Sequence, residues 1–334
     1  MLGTFNKPSF FEKKNILITG GTGTLGNKLV NFFLNFTNCN KICIFSRDEF
    51  KQSVMRNKFK NNINFDRLRF FIGDVRDLER LKTSLEGINI AFHTAAMKQI
   101  DTIEYNPGEA IKTNITGTEN IIFACLYNKV EILVGISTDK ACSPNNVYGS
   151  TKFILEKLIT NSYMNSGKKL KTCVLRYGNV VGSRGSVIPV FKNQVNNSYF
   201  TVTDKKMTRF TIDINQALNF ILNCTVLSKG GETFVPKLPK YEILQLCHLI
   251  DPNKEIKIIG MRYGEKLHEE MISESESLNV YETEDFFVIK PYFGLDQKFI
   301  DENKLSKCKK IFSYNSNNAE KIKNDIMIKY IKNE

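Results

Sequence analysis

The chain has 334 residues, of which 42% are hydrophobic and 25% charged, a composition typical of a globular protein with two domains or one large α/β unit. Its net charge of +12 is spread along the chain, with no basic stretch interleaved with aromatic residues, so we expect no nucleic-acid binding. A compositional bias toward lysine and asparagine explains this charge, and a small anionic substrate would also suit it. No apolar run has the length of a signal peptide or of a membrane span, and the eight cysteines show no metal-ligand spacing. We therefore expect a cytoplasmic protein with reduced thiols, no metal and no membrane contact.

A strand, a glycine turn and a helix follow one another near the amino terminus. Residues 15–19 predict a short buried strand, and Gly20, Gly23 and Gly26 then form a GxxGxxG pattern before a helical run. Gly20 would make the tight turn, Gly23 would admit a pyrophosphate at the helix N-terminus, and Gly26 would allow close packing of the helix on the sheet. The pattern predicts a dinucleotide-binding turn, with a purely structural glycine turn as the alternative.

The predicted second strand, residues 41–45, ends in Ser46 and Arg47. A dinucleotide fold places the adenosine ribose at this point, and an arginine there can pair with a 2′-phosphate. NADP is therefore favoured over NAD. Arg47 could instead pair with Asp48 or Glu49 on the surface.

Polar and small residues also follow the next two predicted strands. Asp74 could accept a hydrogen bond from the adenine amino group, or it could cap the helix that follows it. After the fourth strand, His93 is expected to be a satisfied strand-end histidine rather than a catalyst. Ala95 and Ala96 permit the close approach of a cofactor, and Lys98 could hold a phosphate or a hydroxyl group.

The chemistry is predicted to lie at residues 137–140, which follow a buried strand, because reactive groups gather at the carboxyl ends of strands in an open α/β sheet. Eight residues after Lys140, Tyr148 begins a predicted helix, and Lys152 shares its face because the two residues are four apart. A lysine ammonium beside a phenol lowers the pKa of the tyrosine, which can then take a proton from a sugar or alcohol hydroxyl. A solvated Tyr–Lys helix face is the alternative.

Ten motifs occur in order between residues 15 and 270 and together resemble one enzyme family. They are TGGTGTLG, SRDEFK, GDVRD, AAMK, IKTNITGT, STDKA, YGSTK, RYGNVVGSRGSV, MTRF and MRYGEKLHE. The sequence resembles the inverting UDP-N-acetylglucosamine 4,6-dehydratases, which are NADP-dependent extended short-chain dehydrogenase/reductase proteins. The resemblance implies an α/β fold with a Rossmann-type doubly wound parallel sheet. Residues 1–178 would bind NADP, with about 208–230 returning to that domain, and 179–334 would form a smaller substrate domain for the UDP-sugar.

The resemblance also implies a redox cycle within one site. Tyr148, with Lys152 beside it, would deprotonate the sugar hydroxyl at carbon 4 while NADP⁺ takes the hydride, and Thr138 would hydrogen-bond that hydroxyl. Lys140 would be the base at carbon 5, and Asp139 would protonate the hydroxyl that leaves carbon 6. Hydride return to carbon 6 and reprotonation of carbon 5 from the other face would give UDP-2-acetamido-2,6-dideoxy-β-L-arabino-hex-4-ulose. A lysine base must be neutral, so the pKa of Lys140 has to fall; a loop salt bridge between Asp139 and Lys140 is the alternative.

Family members are homo-oligomers, so the resemblance implies a dimer or a hexamer. The motifs also give two sets of candidate binding residues. The cofactor-binding candidates are Gly20, Thr22, Gly23, Thr24, Leu25, Gly26, Ser46, Arg47, Asp48, Glu49, Lys51, Asp74, Val75, Ala95, Ala96, Lys98, Tyr148 and Lys152. The substrate-binding candidates that the resemblance implies are Lys98, Asn179, Val180, Val181, Gly182, Ser183, Arg184, Thr203, Arg262 and Glu265.

Two other kinds of function remain open. A retaining UDP-sugar 4,6-dehydratase or a UDP-sugar 4-epimerase would use related machinery, although retaining dehydratases typically carry Asp-Glu where this chain has Asp139 and Lys140. The second alternative is a non-catalytic regulatory protein that binds NADP on the same fold. The presence of Tyr148 and Lys152 beside that acid and base argues against it, because a sensor need not keep these groups.

Overall fold

Strands and helices alternate along most of the chain, in a computed structural model that describes residues 3–183 and 187–332. The strands are β1 (Asn15–Thr19), β2 (Lys41–Ser46), β3 (Leu68–Ile72), β4 (Ile90–His93), β5 (Ile132–Ile136), β6 (Lys171–Leu175), β7 (Asn179–Val180), β8 (Tyr199–Val202), β9 (Thr208–Ile212), β10 (Glu232–Pro236), β11 (Lys240–Glu242), β12 (Glu255–Ile258), β13 (Glu270–Ile272), β14 (Val280–Glu282), β15 (Phe286–Ile289), β16 (Ser306–Lys307) and β17 (Tyr314–Asn315). The α-helices are α1 (Thr24–Phe36), α2 (Glu49–Phe59), α3 (Leu78–Ser84), α4 (Ile100–Tyr105), α5 (Pro107–Ala110), α6 (Gly117–Tyr127), α7 (Val147–Asn165), α8 (Val187–Asn193), α9 (Ile214–Leu227), α10 (Ile243–Ile250), α11 (Glu274–Ser277), α12 (Gln297–Glu302) and α13 (Asn324–Lys332). A π-helix (Ile111–Thr116) joins α5 to α6, and 3₁₀ turns cover Pro8–Phe11, Phe65–Arg67 and Asp139–Ala141.

The largest sheet within the described residues has ten strands, in the order β3–β2–β1–β4–β5–β6–β10–β15–β14–β16. The strands from β3 to β10 are parallel, and β15, β14 and β16 add antiparallel pairs at one edge. The strand order reverses between β1 and β4, and in open parallel sheets ligands bind in the crevice at the carboxyl ends beside such a reversal. This topology confirms the expected doubly wound, Rossmann-type α/β fold.

Helices cover both faces of this sheet because its inner strands are apolar on both sides. In β1, Ile16 and Ile18 belong to the core that contains Phe33 of α1 and residues of α9, whereas Leu17 belongs to the opposite core with Ile159 of α7. This division follows from the two-residue period of a strand. Burying each such side chain contributes roughly 1.5–3 kcal/mol, so the sheet holds the loops at its carboxyl ends on a rigid support.

The second part of the chain forms a smaller layer beside the large sheet. It contains the β8–β12 pair and the β11–β9–β7 sheet, over a core that includes Phe200, Leu246 and Met327. Met327 lies on α13, which packs against α10. Helix α9, in the stretch expected to return to the first domain, packs against α1 and β6. Strands β10 and β14–β16 lie after residue 178 in the sequence but extend the large sheet of the first part. The proposed domain division after residue 178 therefore stays a prediction.

The cysteines all lie in the described part of the chain, where they are unpaired; seven are buried and Cys308 is half-buried. The helices of residues 3–183 and 187–332 lack the length and apolar character needed to cross a bilayer. The same residues also contain no group of three His, Cys, Asp or Glu side chains arranged to hold a metal ion.

Candidate active site

A cavity of about 710 Å³ opens along the carboxyl ends of the parallel strands and extends to the second layer. Most of the candidates named from the sequence line it: Gly20, Thr22, Gly23, Thr24, Leu25, Gly26, Ser46, Arg47, Asp48, Lys51, Asp74, Val75, Ala95, Ala96, Lys98, Thr138, Lys140, Tyr148, Lys152, Asn179, Val180, Ser183, Thr203, Arg262 and Glu265. Of the other described candidates, Glu49, Asp139, Val181 and Gly182 are not part of the lining. Arg184 lies outside the described residues.

The glycine turn between β1 and α1 has the shape that a bound dinucleotide needs. Gly20 adopts a φ of +65°, and a Cβ at this residue would lie 2.9 Å from the backbone of Ala95. At Gly26 a Cβ would lie 2.4 Å from the carbonyl oxygen of Gly21. Gly23 is the N-cap of α1 and no described side chain caps this helix, so the N–H groups of its first turn are available to an anion. The shape of the turn therefore fits a pyrophosphate, and its binding there stays a prediction.

The end of β2 differs in detail from the expectation. Asp48 accepts a hydrogen bond from the Lys51 backbone N–H at 2.9 Å and caps α2, rather than pairing with Arg47. Arg47 instead approaches Asp74 with a separation of 3.6 Å, and its side chain is 58% exposed. The alternative role of Asp74 as a helix cap is wrong, because Asp77 caps α3. Among the residues that the structure describes, Arg47 is therefore held by a loose surface pair with Asp74.

Tyr148 and Lys152 lie one turn apart on α7 and both line the cavity, as their spacing predicted. Lys152 Nζ donates to the carbonyl oxygen of Ile136 at 2.5 Å, and burial lowers the pKa of Lys152 to about 8. Burial raises the pKa of Tyr148 to about 12, against the opposing charge of Lys140. The expected lowering of the tyrosine pKa is therefore wrong for this structure, because burial dominates and the neighbouring ammonium bonds the end of β5.

Lys140 contacts two carboxylates at the carboxyl end of β5. Its Nζ lies 3.0 Å from Oδ1 of Asp139 and 3.1 Å from Oε1 of Glu269. Thr138 lines the cavity and donates from its hydroxyl to the same Asp139 oxygen at 2.9 Å. The other carboxylate oxygens, Asp139 Oδ2 and Glu269 Oε2, are buried and have no hydrogen-bond partner among the described residues. The loop salt bridge considered as an alternative is therefore present, but it is buried and includes a third residue.

Burial and mutual charge set the protonation of this cluster. Burial alone would lower the pKa of Lys140, but Asp139 and Glu269 raise it above its usual value. The requirement that the pKa of Lys140 should fall is therefore not met in this structure. Burial raises the pKa of Asp139, whereas for Glu269 the charges of Lys140 and Arg209 outweigh burial and lower the pKa. A raised pKa suits the predicted acid, Asp139.

Two buried polar residues fix the loops around the cavity. His93 is confirmed as a satisfied histidine: its ring bonds Thr19 and Thr118 hydroxyls at 2.9 and 3.2 Å, and burial lowers its pKa to about 3. Asn114, in the π-helix, accepts from the N–H of Met97 at 2.8 Å and donates to its carbonyl oxygen at 3.0 Å. The loop that carries Ala95, Ala96 and Lys98 is thereby tied to the helix layer.

The sequence-based candidate set missed many polar lining residues, and Arg209, Tyr241 and Glu269 are three of them. Arg209 and Glu269 lie within the MTRF and MRYGEKLHE stretches, but nothing in those local patterns assigned them a role. Glu269 meets its partner Lys140 across more than a hundred residues of sequence. The one sequence signal for Glu269 was its position at the end of the MRYGEKLHE motif.

The doubly wound sheet, the GxxGxxG turn and the Tyr–Lys pair on α7 define a nucleotide-binding protein of the extended short-chain dehydrogenase/reductase class. The chain belongs to the polysaccharide biosynthesis protein family, whose sequence profile matches residues 16–291.

Named relatives cover nearly the whole chain. A Campylobacter jejuni protein named UDP-N-acetylglucosamine 4,6-dehydratase (inverting) is 45% identical over 321 residues, covering 92% of this chain and 94% of that protein. A Rickettsia rickettsii protein named UDP-glucose 4-epimerase is 37% identical over 341 residues, covering 97% of this chain and 98% of that protein. The X-ray structure of Pen from Bacillus thuringiensis matches with a TM-score of 0.88 and 37% identity, covering 97% of this chain and 98% of that one. These matches confirm the family resemblance found in the motifs.

Proposed function

We propose that this protein is an inverting UDP-N-acetylglucosamine 4,6-dehydratase, a hydro-lyase that gives UDP-2-acetamido-2,6-dideoxy-β-L-arabino-hex-4-ulose. The observation that carries the proposal is the contact of Lys140, which lines the same cavity as Tyr148, with the buried carboxylate of Asp139 behind it. This arrangement supplies an amine and a carboxyl group next to a phenol, which are the groups that an elimination after oxidation at carbon 4 requires. The name of the 45% identical C. jejuni relative supports the same substrate.

A nicotinamide cofactor fits the glycine turn, and when bound it takes the hydride from carbon 4 and supplies it to carbon 6. The N-terminus of α1 would hold its pyrophosphate. We assign NADP rather than NAD because Arg47 lies at the end of β2, beside the cavity, where an arginine can pair with a 2′-phosphate. Lys152, with a pKa of about 8, is an ammonium at pH 7. Tyr148 would receive the proton of the carbon-4 hydroxyl in its phenolate form, which the positive charge of Lys140 favours against burial.

One proton shared by Lys140 and Asp139 accounts for the elimination despite the raised pKa of the lysine. When that proton moves along their 3.0 Å hydrogen bond, the ion pair becomes a neutral amine and a carboxylic acid. The amine takes the proton from carbon 5, and the C–H electron pair forms the enolate of the 4-ketone. The enolate expels the carbon-6 hydroxyl, which leaves as water with the proton of Asp139, so the ion pair is restored. Because Thr138 lines the cavity and bonds Asp139, its hydroxyl can relay this proton.

A UDP-sugar 4-epimerase is the second candidate, favoured by the 37% identical R. rickettsii relative. An epimerase oxidises and reduces carbon 4 alone, so Tyr148 and Lys152 would suffice for it. It would have no use for the buried acid–base pair of Asp139 and Lys140.

An assay in deuterium oxide separates these functions. Purified protein incubated with UDP-N-acetylglucosamine is expected to give the L-arabino 4-keto-6-deoxy product with deuterium at carbon 5, as followed by proton NMR. The cofactor released by denaturing the protein is expected to be NADP by mass spectrometry. Formation of only the carbon-4 epimer would overturn the dehydratase proposal, and a D-configured ketosugar would instead indicate a retaining enzyme.

Assembly and location are further parts of the proposal. Neighbouring helices α6 and α7 expose large hydrophobic side chains, among them Phe123, Tyr127 and Ile154, which supports a homo-oligomer, either a dimer or a hexamer. The unpaired thiols support a site of action in the reducing cytoplasm.

A further inference from the structure

Glu269 is a buried carboxylate at the centre of the site. The proposed reaction, as described above, assigns no role to it. One of its oxygens, Oε1, lies 3.1 Å from Nζ of Lys140 and 3.6 Å from Nε of Arg209. The residue is 3% exposed, and its backbone N–H donates to the hydroxyl of Ser316 at 2.9 Å. A single carboxylate oxygen therefore faces two cations, one from the 3₁₀ turn after β5 and one from β9.

Arg209 is a fixed positive charge beside that carboxylate. Its Nη1 donates to the carbonyl oxygens of Thr208 and Leu267 at 2.7 and 3.2 Å, and only 8% of the residue is exposed. Unlike a lysine, an arginine does not lose its proton in a protein. The guanidinium therefore stays in place and stays charged whatever its neighbours do.

The charges of the cluster balance only while Glu269 is ionised. Among these four groups, the cations of Lys140 and Arg209 then equal the carboxylates of Asp139 and Glu269, and moving one proton from Lys140 to Asp139 leaves the total unchanged. Lys266 is a further cation that lowers the pKa of Glu269, and its Nζ donates to the carbonyl oxygen of Cys142 at 2.7 Å. Without the charge of Glu269 the buried cluster would carry an uncompensated positive charge, which is costly away from water. The one proton whose loss relieves that cost is the proton of Lys140.

We propose that Glu269 is a positioning residue whose charge balances Arg209, so that Lys140 and Asp139 keep one transferable proton between them. This inference rests on the proposed dehydratase function. A site without this charge holds a neutral Lys140, which still takes the carbon-5 proton, beside an ionised Asp139, which has no proton for the leaving hydroxyl. The enolate would then take a proton from solvent and return to the ketone instead of expelling water.

The variant Glu269→Gln tests this role, because it removes the charge and keeps the size of the side chain. With UDP-N-acetylglucosamine in deuterium oxide, we expect dehydration to fall on the order of 100-fold or more, the typical contribution of a general acid. We also expect deuterium at carbon 5 of the recovered, undehydrated UDP-sugar, measured by mass spectrometry and NMR. Unchanged dehydration would overturn the inference, and so would lost dehydration without deuterium in the recovered sugar.

Two further comparisons guard against a general loss of structure. Glu270→Gln alters the next residue, whose carboxylate bonds the hydroxyls of Ser143 and Ser313 outside the cluster, and it should dehydrate like the unmodified protein. Arg209→Met removes the charge that Glu269 balances. Once that charge is gone, Glu269 has nothing left to balance, so the double variant Arg209→Met/Glu269→Gln should dehydrate at least as fast as Arg209→Met alone. Both variants lack the Arg209 side chain, so any contact of Arg209 with the substrate does not affect the comparison. A slower double variant contradicts the inference, and this pair decides the matter if Glu269→Gln alone does not fold.

The unmodified protein, run beside the variants, keeps the two proposals apart. If it fails to dehydrate UDP-N-acetylglucosamine, the proposed function is wrong. If it dehydrates while the variants behave like it, only the role of Glu269 is wrong.

Discussion

Lys140 is the residue on which the proposed chemistry depends most, because it contacts Asp139 and Glu269 and also lines the cavity. Its two carboxylate partners come from the same loop and from a segment near β13, so the site is assembled by the tertiary fold rather than by one loop. A lysine placed in this way is charged at rest and becomes a base only by giving its proton to a neighbour.

Replacing Lys140 should separate cofactor binding from catalysis. Lys140→Ala removes the base at carbon 5 but touches none of the glycine turn, so the protein should retain its cofactor while turnover falls on the order of 100-fold or more. Solvent deuterium should no longer enter carbon 5, as measured by NMR of the recovered sugar. Lys229→Ala, which removes a lysine from an exposed surface pair, is the matched control and should behave like the unmodified protein. Normal deuterium incorporation in Lys140→Ala would remove this lysine from its role.

Sequence spacing predicted which residues share a surface, but not their charge. Tyr148 and Lys152 fall on one face of α7 because the helical repeat is a local property that four residues are enough to reveal. The pKa of Tyr148 is raised to about 12 by burial, and burial depends on tertiary packing that a local pattern does not show. Glu269 was missed for the same reason, since its contact with Lys140 is created only by folding.

At the scale of single elements, the turn between β1 and α1 has no room for a side chain at Gly20 or Gly26. The predicted strand of residues 15–19 agrees with β1, because a buried parallel strand shows as a continuous apolar run. The helix start after it was also predictable, since the glycines must follow such a strand closely. Helix caps were harder to predict: Asp74 and Asp77 both precede α3, and only the path of the backbone selects Asp77.

A methyl group at Gly26 should disrupt this turn. In Gly26→Ala the new Cβ would lie 2.4 Å from the carbonyl oxygen of Gly21, so the turn must shift at a cost of roughly 1–3 kcal/mol. We expect a lower melting temperature and at least about tenfold weaker cofactor binding, one tenfold step being 1.4 kcal/mol, measured by thermal unfolding and titration calorimetry. Gly108→Ala, where a Cβ would meet nothing within 4 Å, should change neither. Unaltered cofactor affinity in Gly26→Ala would show that the turn does not hold the pyrophosphate.

At the scale of the whole molecule, Arg176 joins the large sheet to the C-terminal part of the chain. It follows β6, is 1% exposed, and bonds Glu156 on α7 and Glu276 on α11. Glu156 also accepts from the hydroxyl of Ser137 at 2.6 Å, directly before the catalytic candidates. One buried guanidinium thus connects the second half of the fold with the loop that carries the chemistry.

The pairing with Glu276 should make stability depend on acidity. Burial opposes ionisation of this carboxyl group, but the Arg176 guanidinium outweighs it and lowers the pKa of Glu276 from 4.5 to about 2. A carboxyl group with a lowered folded-state pKa adds stability that is complete above pH 4.5 and is lost as the pH falls toward 2. At 1.4 kcal/mol per pKa unit, this shift corresponds to about 3 kcal/mol.

Glu276→Gln should therefore be less stable than the unmodified protein at pH 7, and the difference should shrink as the pH falls from 4.5 toward 2. Urea unfolding at several pH values measures both stabilities. Glu274→Gln, on the exposed side of the same short helix, should stay within about 0.5 kcal/mol at every pH. A constant gap between Glu276→Gln and the unmodified protein from pH 7 to pH 2 would contradict the electrostatic explanation.

The unpaired cysteines allow local unfolding of the protein to be followed by alkylation of their thiols. Alkylating reagents attack the thiolate, and burial raises the pKa of Cys43 to about 11 and that of Cys247 to about 12. In the folded molecule only Cys308 is partly accessible to such a reagent, since the other seven are enclosed. The order in which the remaining cysteines become modified, mapped by peptide mass, would trace which layer comes apart first without any introduced label.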